Sequence, residues 1–221
     1  MADEHDLRAM RLAYDRGTLV EADLASDPLT QFRRWLAGAV ADGIVEPNAM
    51  VLSTVSAEGV PTARTVLLKD ADARGFVFYT NLRSRKGRDL AESGRAACVF
   101  PWIPLHRQVV VAGRAVEVPR EEAADYFASR PHGSRLGAWA SRQSEVIADR
   151  AVLEERYAEL LERFPGDVPL PEFWGGWIVV PDSVEFWQGR DSRLHDRLRF
   201  RRVRDGGLDD PGAWHVERLS P

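Results

Sequence analysis

Near the C-terminus the run Arg193-Leu194-His195-Asp196-Arg197 places three basic side chains at alternate positions. In a strand, alternate residues share a face, so two guanidiniums and an imidazole would line one pocket wall while Leu194, Asp196 and Leu198 turn away. Like charges so gathered repel, and an anion or an electron-rich ring among them relieves the repulsion. The same run also fits an exposed, charged strand face. Seven arginines between positions 190 and 204 (Arg190, Arg193, Arg197, Arg199, Arg201, Arg202, Arg204) pose the same choice, between a site for a small anion and an edge strand guarded by charge.

Two further groupings have anion chemistry. Arg85 and Lys86 follow Ser84, a good N-cap, and two cations in a first helical turn oppose the helix dipole unless an anion such as phosphate binds there. Tyr126 and Arg130 lie one helical turn apart, Pro131 ends or kinks that helix, and Ser134 falls near the start of the next. A hydroxyl, a guanidinium and free backbone N–H groups would converge there, although surface packing of the tyrosine also explains the pattern. In RTVLLK, read as a strand, Arg64 and Lys69 are an odd number of residues apart and face opposite sides of the sheet. Trp187 stands apart from the other aromatics, six residues before Arg193, whereas Phe173, Trp174 and Trp177 read as core or as cover for a planar ligand.

The elements that must position these groups are mostly short strands. Residues 1–26 are polar and read as an arm, mobile unless tied down. Asp27-Pro28, then Leu29, Phe32, Leu36 and Val40 at helical spacing, predict a helix over about 28–43. AMVLSTVS, PTARTVLLKD, GFVFYTN, AACVFPW and RQVVVAGRAVEV predict strands, and helices follow at about 120–129, 133–140 and 149–163. GGWIVV, SVEFWQG, HDRLRFRRV and AWHVERL return to strands. The pattern is mainly β with helical additions, a closed or partly closed barrel over 27–221 behind the arm.

With 221 residues the chain suits one core, and 44% apolar with 29% charged residues is a globular balance. A net charge of −4 argues against nucleic-acid binding. The sequence offers no apolar run near the roughly 18 residues of a membrane span, and its N-terminus is charged, so no membrane association and a cytoplasmic location are expected. Cys98, the single cysteine, sits in an apolar run and reads as a small core hydrophobe rather than a reactive thiol. The five histidines are scattered without metal-ligand spacing, and GxGxxG, Walker A and GxSxG motifs are missing.

In order, RTVLLK, FYTN, SRKGRDL, RQVVVAGRA, YFASRP, GAWASRQS, PEFWGGW, EFWQGR and RLHDR resemble the pyridoxamine 5'-phosphate oxidase (pyridoxine 5'-phosphate oxidase) family over nearly the whole chain. The resemblance implies a split β-barrel homodimer with FMN at the subunit interface. It implies FMN contacts from Arg64, Thr65, Val66, Leu67, Leu68, Lys69, Tyr79, Thr80, Arg85, Lys86, Gln108, Gln143, Ser144, Trp187 and Arg197. Lys69, Tyr126, Arg130 and Ser134 would hold a substrate phosphate, Arg193 and His195 would meet the pyridine ring as catalytic residues, and Arg11 to Tyr14 would close over it as a lid. The implied reaction is oxidation of pyridoxamine or pyridoxine 5'-phosphate to pyridoxal 5'-phosphate, with dioxygen as acceptor. Glu145 and His106 depart from the family pattern beside proposed FMN contacts. Rival readings are a phenazine-type oxidase of the same fold and a noncatalytic flavin- or pyridoxal-phosphate-binding protein.

Overall fold

In the computed structural model, which describes residues 13–221, Asp27 opens helix α1 (Pro28–Ala41) by accepting the Thr30 N–H at 2.7 Å. The helix buries Leu29, Phe32, Trp35 and Ala39, and Phe32 meets Phe76 and Phe100 with ring centroids 4.9 Å apart in each pair. This aromatic contact pins the helix to an all-antiparallel sheet. The strands are β1 (Ala49–Val55), β2 (Pro61–Leu67), β3 (Asp70–Ala71), β4 (Phe76–Asn81), β5 (Arg95–Trp102), β6 (Arg107–Glu117), β7 (Trp174–Gln188), β8 (Asp196–Arg202) and β9 (Trp214–Arg218). Helices α2 (Arg85–Ser93), α3 (Arg120–Ser129), α4 (His132–Ala140) and α5 (Ala151–Arg163) complete it. None of the helices among the described residues is long and apolar enough to cross a membrane.

The strand order is β2-β1-β5-β6-β7-β4-β3, with β8 paired to β7 and β9 to β8. The predicted strand PTARTVLLKD is therefore interrupted: β2 and β3 lie at opposite ends of the sheet path, and the chain crosses between them at Leu68 and Lys69. The Leu68 N–H bonds Asn48 O and the Lys69 N–H bonds Val77 O, at 2.9 and 2.8 Å. The sheet curls until its ends meet there and stays open beyond, a split barrel. Because β2 stops at Leu67, the expectation that Arg64 and Lys69 face opposite sides fails, since strand alternation does not extend across the crossing.

GGWIVV and SVEFWQG form one strand, β7, rather than two. Its first half pairs with β4 and its second with β8, while β6 accompanies it from Trp177 to Gln188. At Pro181-Asp182, between the two predicted runs, the register shifts opposite Gly113, so that Asp182 is the extra residue of a bulge. Gly113 permits the approach: a Cβ on it would overlap Val180 O.

The run at 193–197 is not one strand. Asp191–Arg193 is a 3-10 turn with Ser192 and Arg193 in the left-handed region (φ 56° and 62°), and β8 begins only at Asp196. Arg193, His195 and Arg197 therefore do not share a strand face. The arginine cluster is mostly an ion-pair network: Arg190 meets Asp196 (3.1 Å), Arg197 meets Glu185 (2.7 Å), Arg199 and Arg201 share Glu217 (2.6 Å each) and Arg204 meets Asp210 (2.9 Å). Arg202 stacks on Trp214 at 4.4 Å. Arg193 pairs with no carboxylate among the described residues.

One face of β1, β5 and β6 builds the core through Met50, Leu52, Cys98, Phe100, Val109 and Val111; burial pushes the Cys98 thiol up to about 12, which keeps it an inert hydrophobe. The opposite face carries the row Val51, Val99 and Val110, paired across the strands and only half-buried. Residues 13–26 are fastened at several points: Leu19 is buried and its N–H reaches Asp196 at 3.1 Å, and the Ala25 N–H reaches Gln31 at 2.9 Å.

Truncating the aromatic that joins helix to sheet tests this core. Phe32→Ala is expected to lower unfolding free energy by about 3–5 kcal/mol, read from the urea midpoint at unchanged slope. A loss below about 1 kcal/mol would contradict full burial of that ring.

Candidate active site

In the opening between β2 and β4 lies a cavity of about 1060 Å³, roofed by α3 and α4 and bounded by the start of α2. The turn into α2 is tightly built. Ser84 Oγ donates to Asn81 O (2.7 Å) and accepts the Gly87 N–H (3.3 Å), and a Cβ at Gly87 would overlap Leu82 O. Only glycine lets the helix start this close to the preceding strand, and the start faces the cavity.

Lys86 is buried at this point. Its Nζ donates to Gln143 Oε1 (2.8 Å), Thr80 Oγ1 (3.2 Å) and Ser84 Oγ (3.4 Å), all neutral acceptors. Burial, reinforced by the nearby Arg64 guanidinium, lowers the ammonium to about 8. The loop after α4 closes over the same turn, where the Arg85 N–H donates to Ser144 Oγ at 3.2 Å, and Ser144 takes a left-handed φ of 77°. Arg64 is aimed from β2 by bonds to Leu52 O (3.1 Å) and Thr54 Oγ1 (2.8 Å).

A second cationic corner faces this one. Tyr79 stacks on Tyr126 with centroids 4.1 Å apart and on Trp174 at 5.5 Å, and burial drives the Tyr79 hydroxyl up to about 12, so it stays protonated. The Arg130 guanidinium lies 5.0 Å over Trp174, and its Nη1 is buried without a partner. Such an orphaned donor is costly unless a ligand accepts from it. Lys69 and Ser134 line the same corner.

Arg64, Lys69, Arg85, Lys86 and Arg130 thus line one cavity whose wall, among the described residues, holds no carboxylate. Uncompensated charge of that density suits phosphate groups, with α2 and the Arg130 corner as two separate points of attachment.

The cavity also gathers Thr65, Val66, Leu67, Tyr79, Thr80, Tyr126, Gln143 and Ser144 from the sequence-expected set. Leu68 does not join them; it turns into the core, 6% exposed, as the first residue past the end of β2. Gly137, Ala138 and Ser141 line the cavity unforeseen, although with Ser134 they form the helical spacing 134, 137, 138, 141 that marks one face. Trp174, read only as core or cover, supplies the base of the aromatic stack.

Gln108, Trp187, Arg193, His195 and Arg197 do not line this cavity. Gln108, Trp187 and Arg197 sit side by side in cross-strand register on β6, β7 and β8. His195 packs on Trp187 at 4.7 Å, and Tyr14 sets its ring edge-on to His195 (5.5 Å), Trp187 (6.0 Å) and His106 (4.6 Å). Gly189 makes that seat, because a Cβ there would press on Tyr14 at 2.9 Å. Arg11 lies outside the described residues. One chain therefore carries two groupings, a cationic cavity and an aromatic-imidazole patch.

The depressed Lys86 ammonium has a signed consequence. Its folded value of about 8 lies below the ordinary 10.5, so the unfolded chain holds the extra proton between these limits, and the unliganded protein gains stability as pH rises through that window. Anion binding needs the ammonium, so sulfate affinity, measured calorimetrically on either side of pH 8, is expected to fall as pH rises. In Lys86→Met this slope should vanish; its persistence would assign the titration elsewhere.

Comparison with known proteins agrees with this geometry. Residues 36–164 match the pattern of the family described as pyridoxamine 5'-phosphate oxidase, and residues 174–221 match the pyridoxine 5'-phosphate oxidase C-terminal dimerisation region. The chain is 56% identical over 208 residues to a pyridoxine/pyridoxamine 5'-phosphate oxidase of Acidothermus cellulolyticus, covering 93% of this chain and 91% of that protein. With the protein of the same name from Thermobifida fusca it shares 52% over 222 residues, 99% and 100% of the two chains. Among solved structures, PhzG from Burkholderia lata, in complex with tetrahydrophenazine-1-carboxylic acid, is similar with a TM-score of 0.83 at 32% identity, over 92% of this chain and 98% of that one. A pyridoxamine 5'-phosphate oxidase-related, FMN-binding protein from Nostoc punctiforme shares the fold, with a TM-score of 0.66 at 18% identity over 86% and 97%. By its sequence match across both regions and by its split barrel, the chain belongs to the pyridoxamine 5'-phosphate oxidase family.

Proposed function

We propose that this protein is an FMN-dependent oxidase converting pyridoxamine 5'-phosphate and pyridoxine 5'-phosphate to pyridoxal 5'-phosphate in the cytoplasm. The alcohol and dioxygen give aldehyde and hydrogen peroxide; the amine, with water, also gives ammonia. The observation that carries this reading is the cavity wall with five cations, an orphaned Arg130 donor and, among the described residues, no carboxylate, which fits two phosphate-bearing molecules.

FMN fits the residues present. Its phosphate suits the start of α2, where the Arg85 and Lys86 side chains stand at the positive end of the helix dipole, and Arg64 to Leu67 with Gln143 and Ser144 offer polar edges beside it. Bound there, FMN supplies a hydride acceptor that dioxygen reoxidises. Lys69, Tyr126, Arg130 and Ser134 would grip the substrate phosphate. This fixes the substrate by the end remote from its reacting carbon and holds the ring in one orientation.

The second grouping enters through a homodimer. Gln108, Trp187 and Arg197 lie on the side of the sheet that carries the half-buried row Val51, Val99 and Val110, a face suited to a second copy. Against a neighbouring cavity, those residues would border the FMN ring, Arg193 and His195 would reach the pyridine ring, and Tyr14 would cover it as part of a lid.

Similarity to PhzG supports a second reading, a ring substrate without phosphate. Purified protein should show flavin absorbance and, given pyridoxine 5'-phosphate in air, form aldehyde and peroxide in equal amounts; a yellow protein inert towards both vitamin B6 phosphates would end the assignment. Arg130→Ala should raise KM for pyridoxine 5'-phosphate about tenfold to a hundredfold through loss of charge-assisted hydrogen bonds, with FMN retained. An unchanged KM would favour the PhzG-like reading. Arg85→Ala combined with Lys86→Ala should instead weaken FMN retention, measured by flavin release on dilution.

A further inference from the structure

Asp89 is a buried carboxylate on α2, 4% exposed and three residues after Lys86, and it does not line the cavity. Its partners are two hydroxyls: Thr54 Oγ1 donates to its Oδ2 at 2.6 Å and Thr62 Oγ1 at 3.3 Å. Among the described residues no cation pairs with it directly. A buried carboxylate is costly without compensation, and here the positive charge stands one hydroxyl away. Arg64 Nη1 donates to Thr54 Oγ1 at 2.8 Å, and Arg64 Nη2 donates to Thr62 Oγ1.

A guanidinium only donates and a carboxylate only accepts. Each hydroxyl must therefore take a hydrogen from Arg64 and turn its own towards Asp89, although the two threonine oxygens lie only 3.2 Å from each other. The direction of every bond in the relay is fixed. Strand geometry assembles it: Thr54 stands opposite Thr62 in the β1–β2 register, and Thr62 and Arg64 alternate on one face of β2.

The relay decides which donors of Arg64 are left. A guanidinium has five N–H groups in a planar fork. Nη1 uses both of its hydrogens, on Leu52 O (3.1 Å) and Thr54 Oγ1, and Nη2 uses one on Thr62 Oγ1. Among the described residues nothing accepts from Nε or from the second Nη2 hydrogen, and these two lie along one edge of the fork. Arg64 lines the cavity with Lys86, and a paired N–H edge matches two oxygens of a phosphate.

We propose that Asp89 is a positioning residue for the cofactor phosphate: through Thr54 and Thr62 it locks the Arg64 fork, so that the Nε–Nη2 edge is the one offered to the phosphate oxygens. The proposal rests on the FMN reading above.

The test titrates the full chain, freed of flavin, with FMN, with riboflavin, which lacks the phosphate, and with inorganic phosphate. Asp89→Asn keeps the size and an acceptor but not the charge; Asp89→Leu removes both acceptors. FMN affinity, read by flavin fluorescence, should fall about tenfold in the first and up to about a hundredfold in the second, with riboflavin affinity unchanged in both. Phosphate affinity, read by calorimetry, should fall in parallel. In an Arg64→Lys background, which lacks the fork, Asp89→Asn should weaken FMN no further. If Asp89→Leu does not fold, Thr54→Val takes its place and should likewise weaken FMN alone. Equal losses for FMN and riboflavin would mark a merely structural aspartate, and full additivity with Arg64→Lys would mark a carboxylate acting independently of that guanidinium; either overturns the inference, as does unchanged FMN affinity in Asp89→Asn. A wild-type chain that binds phosphate in this Asp89-dependent way and takes up no FMN refutes the cofactor reading alone, whereas a chain that binds FMN with equal losses for riboflavin refutes the relay alone.

Discussion

Leu68 and Lys69 carry the chain from one end of the sheet to the other, Leu68 N–H held by Asn48 O beside β1 and Lys69 N–H by Val77 O of β4, and the site depends on how little else joins those ends. Had β2 and β4 paired along their lengths, the barrel would have closed and left no cavity. Because the chain crosses at one point, the rest of the opening is free, and α2, α3 and α4 settle around it. The helices bring the polar groups, and the strand ends keep them apart.

Charge is handled in opposite ways inside and outside that opening. On β8 and β9 almost every guanidinium has a carboxylate partner, so the arginine-rich stretch is close to electrically balanced. Around the cavity the cations' direct partners among the described residues are hydroxyls, amides and aromatic faces, with Asp89 reached from Arg64 only through the Thr54 and Thr62 hydroxyls. Burying a cation with neutral partners lowers its affinity for the proton, as at Lys86, and that penalty is relieved when an anion arrives. The cavity is thus organised for a ligand that brings negative charge.

The second grouping is organised by stacking and backbone geometry. Trp187, His195, His106 and Tyr14 form one aromatic patch, seated on Gly189 and bound to the loop of Arg193 through the Arg190 amide. It lies apart from the cationic cavity of its own chain. A half-buried valine row on the same side of the sheet is the physical reason to look to a second copy for the missing half.

Much of this was legible in the residues alone. Asp27-Pro28 and Ser84 announce the helix starts because capping is local, and Arg85-Lys86 and Tyr126-Arg130 announce two cationic corners because both pairs stand at helix ends. Local rules failed where long-range contacts overrode them. Leu67 ends a strand because the chain must cross to the other end of the sheet, Pro181-Asp182 continues one because Gly113 lets a bulge through, and 191–193 turns because its flanks are fastened. The sequence by itself determined the helix caps, the apolar alternation of the strands and the stock of cationic side chains that line the cavity, all set within a few residues of chain. Only the tertiary structure decided which arginines are neutralised and which are left unpaired, and that His195 and the cationic cavity lie apart in one chain, because those outcomes turn on partners brought together from distant parts of the chain.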